Sequence, residues 1–178
     1  SGVTLIAVSK QQPLDKIVDM LGTGQRIFGE NRVQEAKERW GALKETYPDL
    51  RLHLIGHLQT NKVRDAVALF DVIETLDRPK LADELAKEMT RQGRFLQCLI
   101  EVNTGEEAQK DGVLPSDLAD LLNYARGLGL NVTGLMGIPP ANEPPALHFA
   151  LLKKLAARHG LATVSMGMSG DFEKAVAL

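Results

Sequence analysis

Seven short apolar runs recur along the chain, and each is followed by a segment whose apolar residues fall every three or four positions. The runs cover residues 3–8, 26–29, 52–56, 70–75, 95–102, 132–138 and 162–166. Five of the six residues in the first run are apolar, without the polar alternation of a half-wet strand. Strands of that kind belong to parallel sheets covered on both faces. The intervening segments have helical character. They span residues 14–21 behind Pro13, 33–45, 61–69 with Thr60 as a cap, 79–91, 115–128, 145–159 stopped by Gly160, and 171–178. In the second, Val33, Ala36, Trp40 and Leu43 form one stripe; in the fourth, Leu81, Leu85 and Met89 do, with Asp77 as a candidate cap.

Repeated β-then-α units with no linker or composition shift mean one α/β domain, a parallel sheet clothed in helices. The unit lengths suit a (β/α)8 barrel or a doubly wound sheet. No Gly-x-Gly-x-x-Gly follows the first run, and polar residues cluster after nearly every strand instead of at one switch point. The expected fold is therefore a TIM-like (β/α)8 barrel over residues 1–178. Seven βα units are present, and the rhythm predicts an eighth strand after Leu178.

A chain of 178 residues can bury one substantial core. Its net charge of −2 and pI near 6.1 argue against a nucleic-acid partner held by general electrostatics. The one cysteine, Cys98, lies inside an apolar run, so it reads as a small buried hydrophobe and no internal disulfide can form. No run approaches the roughly 20 apolar residues of a membrane span. Ser1-Gly2-Val3 does not begin like a signal peptide. A soluble, cytoplasmic protein is expected.

Chemistry in such folds sits where strands emerge at their C-terminal ends. Lys10 ends the first run; there it serves either as a snorkelling surface lysine or as an amine nucleophile toward an aldehyde. Glu30-Asn31-Arg32 follows the second strand, and Gly56-His57-Leu58-Gln59-Thr60-Asn61-Lys62 the third. Asn103-Thr104-Gly105-Glu106 follows the fifth. Ser165-Met166-Gly167-Met168-Ser169-Gly170-Asp171 closes the series: either an anion nest or an ordinary turn capped by Ser169 or Asp171. His53 and His57 are four apart, but Gly56 interrupts the strand and no carboxylate has ligand spacing, so no metal is expected. Gly-x-Ser-x-Gly and Walker motifs are absent.

Six strings run in order from one end to the other: Ala7-Val8-Ser9-Lys10, Phe28-Gly29-Glu30-Asn31-Arg32-Val33-Gln34-Glu35, His53-Leu54-Ile55-Gly56-His57-Leu58-Gln59-Thr60-Asn61-Lys62, Val102-Asn103-Thr104-Gly105-Glu106, Gly134-Leu135-Met136 and Ser165-Met166-Gly167-Met168-Ser169. On these the chain resembles the pyridoxal phosphate homeostasis protein family, single-domain relatives of the alanine racemase barrel. The resemblance implies that Lys10 carries pyridoxal 5′-phosphate as an aldimine and that the protein buffers the cofactor or delivers it to apo-enzymes. It implies Asn31 beside the cofactor ring, Ser165 with the Gly167–Met168 backbone at the phosphate, and His57 in a family motif at the mouth. It further implies a monomer without established turnover. An amino-acid racemase or decarboxylase using the same lysine is the alternative, and a Schiff-base lyase acting on phosphorylated metabolites a third.

The chain also departs from the family pattern. Members usually precede the first strand with a helix. They continue into an eighth strand of Arg-Val/Ile-Gly-Thr-x-Ile-Phe-Gly type, whose arginine and Gly-Thr backbone complete the phosphate site. They often read Lys-Ser-Gly where this chain has Lys110-Asp111-Gly112. The racemases draw a tyrosine acid–base partner from a second domain; here Tyr47 and Tyr124 lie away from strand ends, which favours a carrier over a racemase.

Overall fold

The structure is a computed structural model that describes residues 2–178. Its elements alternate as expected: β1 (Ala7–Val8), α1 (Leu14–Gly22), β2 (Ile27–Glu30), α2 (Val33–Trp40), α3 (Leu43–Thr46), β3 (Arg51–Leu54), α4 (Val63–Leu69), β4 (Val72–Leu76), α5 (Pro79–Gln92), β5 (Gln97–Glu101), α6 (Leu118–Gly127), β6 (Asn131–Met136), α7 (Pro145–Arg158), β7 (Thr163–Ser165) and α8 (Phe172–Ala177). All strand pairs are parallel and the order is β1-β2-β3-β4-β5-β6-β7. Seven parallel strands curl into a half-barrel with helices between them. Because every connection returns the chain to the same end of the sheet, all seven C-terminal strand ends share one rim.

Alternation along the strands divides the core. Phe28, Leu52, Leu54, Ile73, Cys98, Ile100 and Leu135 pack against the helices, which contribute Ile17, Trp40, Val67, Leu85, Leu122 and Leu152. Val72, Leu99 and Met136 form a small separate cluster. Cys98 is fully buried and its burial pushes the thiol pKa up to about 12, so it packs as a hydrophobe and does not react. No helix among the described residues is long and apolar enough to cross a membrane.

Four expectations are corrected. The first strand is only Ala7–Val8; Val3 and Leu5 are 56% and 66% exposed, because β1 is an edge strand paired to β2 alone among the described residues. The segment 33–45 is two helices, α2 and α3, broken at Gly41 and Ala42, where glycine is the weakest non-proline helix former. Neither Thr60 nor Asp77 caps its helix. A 3₁₀ turn over Thr60–Lys62 leads into α4, and Arg78 stands before Pro79 at the start of α5. Phe95 also lies outside its strand, 73% exposed.

Trp40 is the largest side chain with no solvent exposure, stacked obliquely on Phe28 at 4.7 Å between ring centroids. Its Nε1–H donates to Glu30 Oε2 at 3.3 Å. Trp40→Ala leaves a large cavity and an altered carboxylate environment, and should lower the unfolding free energy by about 3–5 kcal/mol in a urea titration. A loss below about 1 kcal/mol would show that α2 does not anchor β2.

Candidate functional site

Only two residues of β1 pair with β2, Ala7 with Phe28 and Val8 with Gly29, so further contacts must hold the residues that follow. Ser9 provides them. Its N–H donates to Gly29 O at 3.0 Å, and its Oγ donates to Glu30 Oε2 at 2.7 Å. Glu30 is fully buried, and Arg39 and Trp40 of α2 also donate to its carboxylate. A buried carboxylate with this many donors is compensated, and it pins the end of β1 to both β2 and α2. Lys10 is the next residue, half-buried and without an ion-pair partner among the described residues. Lys10 and Asn31 each lie two residues beyond the paired Val8 and Gly29. Asn31 in turn lies under Gly56, where an added Cβ would sit 2.2 Å from Asn31 O. That close approach requires glycine and brings His57, one residue on, to the same stretch of rim.

The other edge of the sheet ends in the glycine-serine turn. Met136 pairs with Ser165, and Gly137 N–H donates to Ser165 O at 3.1 Å. Gly167 has φ +96°, a left-handed conformation that excludes most side chains, and a Cβ there would meet the Ala175 Cβ at 2.9 Å. The N–H groups of Gly167, Ser169 and Gly170 donate to no protein acceptor among the described residues. Met168 N–H is different: it donates to Asp171 Oδ1 at 2.6 Å. Asp171 thus takes one of the two backbone donors expected for an anion.

So the six residues singled out from the sequence all lie on the rim. Lys10, Asn31 and His57 follow the consecutive strands β1, β2 and β3; Ser165, Gly167 and Met168 follow or end β7, across the curl.

A further constellation was missed. After β5 the chain loops out and returns, with Val113 N–H donating to Glu101 O at 2.8 Å and Asn103 N–H to Val113 O at 2.9 Å. Gly112 N–H donates to Asp77 Oδ2 at 3.1 Å, drawing the loop over the end of β4. Asp111 is thereby carried to His57, with Nδ1 and Oδ1 3.3 Å apart. Ligand atoms of His57, Asp77 and Asp111 all lie within 4.8 Å of one another. Glu101, at the end of β5, is 9% exposed and lines a pocket of about 230 Å³ with Asn103, Gln109, Lys110, Asp111 and Ile138. Burial, reinforced by the charges of Asp77 and Asp111, pushes its pKa up to about 7. These residues are 20 to 54 positions apart from His57 in the chain, so no local spacing marks them. Their one sequence signal is that each follows or ends a strand.

The raised pKa of Glu101 means that the folded state holds a proton the unfolded chain has lost between pH 4.5 and about 7. Stability therefore falls as pH rises through that window and levels off above it. Glu101→Gln removes the dependence: between pH 4.5 and pH 8 the stability difference should move in favour of the variant by about 2–3 kcal/mol. Parallel urea curves that keep a constant offset at both pH values would contradict this.

Comparison with known proteins follows the same chain-long pattern. The alanine racemase N-terminal domain family matches residues 1–177. The pyridoxal phosphate homeostasis protein of Aquifex aeolicus is 40% identical over 182 residues, covering 97% of this chain and 79% of its own length. The structure of PipY from Synechococcus elongatus PCC7942 without PLP superposes with a TM-score of 0.92 at 38% identity, covering 98% of this chain and 86% of that one. The form of PipY with PLP bound gives 0.86 over the same shares. The alanine racemase of Clostridium difficile 630, at 12% identity and a TM-score of 0.70, covers 93% of this chain and 47% of its own, and shares the fold.

Proposed function

Because the chain belongs to the pyridoxal phosphate homeostasis protein family, built on the alanine racemase N-terminal domain, we propose that it binds pyridoxal 5′-phosphate and buffers or delivers that cofactor. The observation that carries the reading is the placement of Lys10 and a glycine turn with spare N–H groups on one rim of the half-barrel. An amine and a left-handed glycine turn on the same rim suit a phosphate ester that also bears an aldehyde.

When bound, the cofactor supplies an aldehyde that a lysine amine attacks reversibly, so what is taken up can be passed to a second amine. Lys10 Nζ is the group that would hold it, kept in place through Ser9 and Glu30. Asn31, whose side chain has no hydrogen-bond partner among the described residues, would flank the ring. Ser165 and the Gly167 N–H would face the phosphate. Met168 would join them only on release of its N–H from Asp171. His57 belongs to the same mouth, on its β3 side.

The proposed role is that of a carrier, not an enzyme acting at an amino-acid α-carbon. Such chemistry needs an acid–base partner on the far face of the substrate. Tyr124 is on α6 in the outer helical layer, and its hydroxyl donates to Asp83 of α5 at 2.5 Å, which pushes its pKa up. Tyr47, between α3 and β3, packs under the Arg26 guanidinium, which is 4.9 Å from its ring centroid. Neither is on the rim. The carrier is proposed to act as a cytoplasmic monomer that supplies apo-enzymes needing the cofactor.

The test is titration with pyridoxal phosphate, followed by borohydride reduction and peptide mapping. The expected result is a visible absorbance band and one reduced adduct, at Lys10, with affinity lowered at least tenfold in Lys10→Ala. No band, or an adduct spread over other lysines such as Lys110, would overturn the reading. Amino acids added in deuterium oxide should exchange their α-protons no faster than with free cofactor; faster exchange abolished in Lys10→Ala would establish the enzyme reading instead.

A further inference from the structure

We propose that the cleft at the N-terminal ends of β3, β4 and β5 is a binding site for a nucleoside monophosphate. It lies at the opposite end of the strands from the rim that carries Lys10, so it goes beyond the carrier reading and does not depend on it. The cleft has a volume of about 390 Å³ and is lined by Arg51, Asp71, Arg94, Phe95, Leu96 and Gln97. Small-molecule pockets run from about 300 to 1,000 Å³, so the space suits a small ligand and not a protein segment.

Charge is the first observation. Asp71 is the one carboxylate in the lining, and it is already engaged: its Oδ2 accepts from Leu52 N–H at 2.8 Å and lies 3.4 Å from Lys44 Nζ. Arg94 is held in place. Gly93, left-handed at φ +66°, ends α5, and Arg94 N–H donates back to Met89 O at 3.1 Å. The Arg94 Nε and Nη2 donate to Val67 O and Phe70 O, each at 2.9 Å, which leaves Nη1 without an acceptor among the described residues. Its Nη2 is also 3.8 Å from Asp71 Oδ1. Arg51 is exposed, and its guanidinium has neither a hydrogen bond nor an ion pair among the described residues. Three cations thus stand against one carboxylate, a positive surplus in a chain whose net charge is −2. The planar fork of arginine matches the oxygens of a phosphate group.

Phe95 supplies the second, independent observation. It is 73% exposed, the most of any aromatic side chain among the described residues. Its neighbour Leu96 is buried in the core, so the segment is anchored while the Phe95 ring stands in water. An aromatic face beside guanidinium groups is a stacking platform for a nucleobase. Inorganic phosphate would engage only the arginines, and a nucleoside only the ring; a nucleoside monophosphate engages both. Folds of this kind place their chemistry at the C-terminal strand ends, so a ligand at the N-terminal ends is bound and not turned over.

The experiment is calorimetric titration of the full chain with adenosine monophosphate at low salt, then with adenosine and with inorganic phosphate in separate runs. One adenosine monophosphate per chain is expected, with adenosine and phosphate each bound about tenfold more weakly or worse. Arg51→Ala and Phe95→Ala should each lower the affinity for adenosine monophosphate by about tenfold. Both side chains are exposed and are replaced without loss of fold, which circular dichroism verifies. Raising the salt should weaken binding of the nucleotide in the parent protein. Absence of stoichiometric binding, affinity unchanged by the two substitutions, or adenosine bound as tightly as its monophosphate would overturn the site. Lys10→Ala should bind adenosine monophosphate like the parent, which separates this outcome from that of the carrier test. Loss of binding in Lys10→Ala would place the nucleotide on the rim, and tighter binding of pyridoxal phosphate than of the nucleotide by that variant would assign the cleft to another ligand; either overturns the proposal.

Discussion

The buried carboxylate of Glu30 holds together the part of the structure on which Lys10 depends. β1 contributes only two paired residues at the sheet edge, too little backbone bonding to position a lysine. The Ser9 hydroxyl on Glu30, with Arg39 and Trp40 on the same carboxylate, ties strand, sheet and helix into one unit. Burying a charge is costly unless its partners are well placed, and removing one partner of such a group costs several kcal/mol. Glu30 therefore acts as a specificity device for the edge strand, and Lys10 inherits its place from the residue before it.

Parallel topology does the rest of the assembly. It gathers seven strand ends on one rim while leaving the residues far apart in the chain. Contacts between neighbouring rim segments are then local in space: Asn31 under Gly56, Gly112 on Asp77, His57 beside Asp111. Each is made by residues that emerge from adjacent or near-adjacent strands. The rim is in effect a row of short loops, each held by the next.

How much of this could be read from residues alone follows from the range of each interaction. The strand and helix alternation was legible because hydrophobic periodicity is local, and seven runs gave seven strands among the described residues. The first strand was overextended because an apolar run says nothing about whether a second neighbour covers it; Val3 and Leu5 remain exposed. Lys10, Asn31 and Ser165 were legible as strand-end polar residues, and the strings around them gave their family. The Asp171 contact to Met168 was not, since a turn that presents N–H groups to an anion and one that caps itself have the same composition. The cluster of His57, Asp77 and Asp111 was invisible for a different reason. Its members come from three loops, and only the return of the β5 loop, made by Val113 and Gly112, brings them together.

The rim is electrically lopsided, and that asymmetry bears on the proposed carrier site. Carboxylates gather after β4 and β5, while the opposite edge offers a glycine turn with backbone donors, and Lys10 stands on the edge strand beyond β2. Under the carrier reading, a dianionic phosphate would be disfavoured near the first region and favoured at the second, the more so at low salt. In that reading the repulsion would turn an aldehyde-bearing phosphate with its phosphate toward β7.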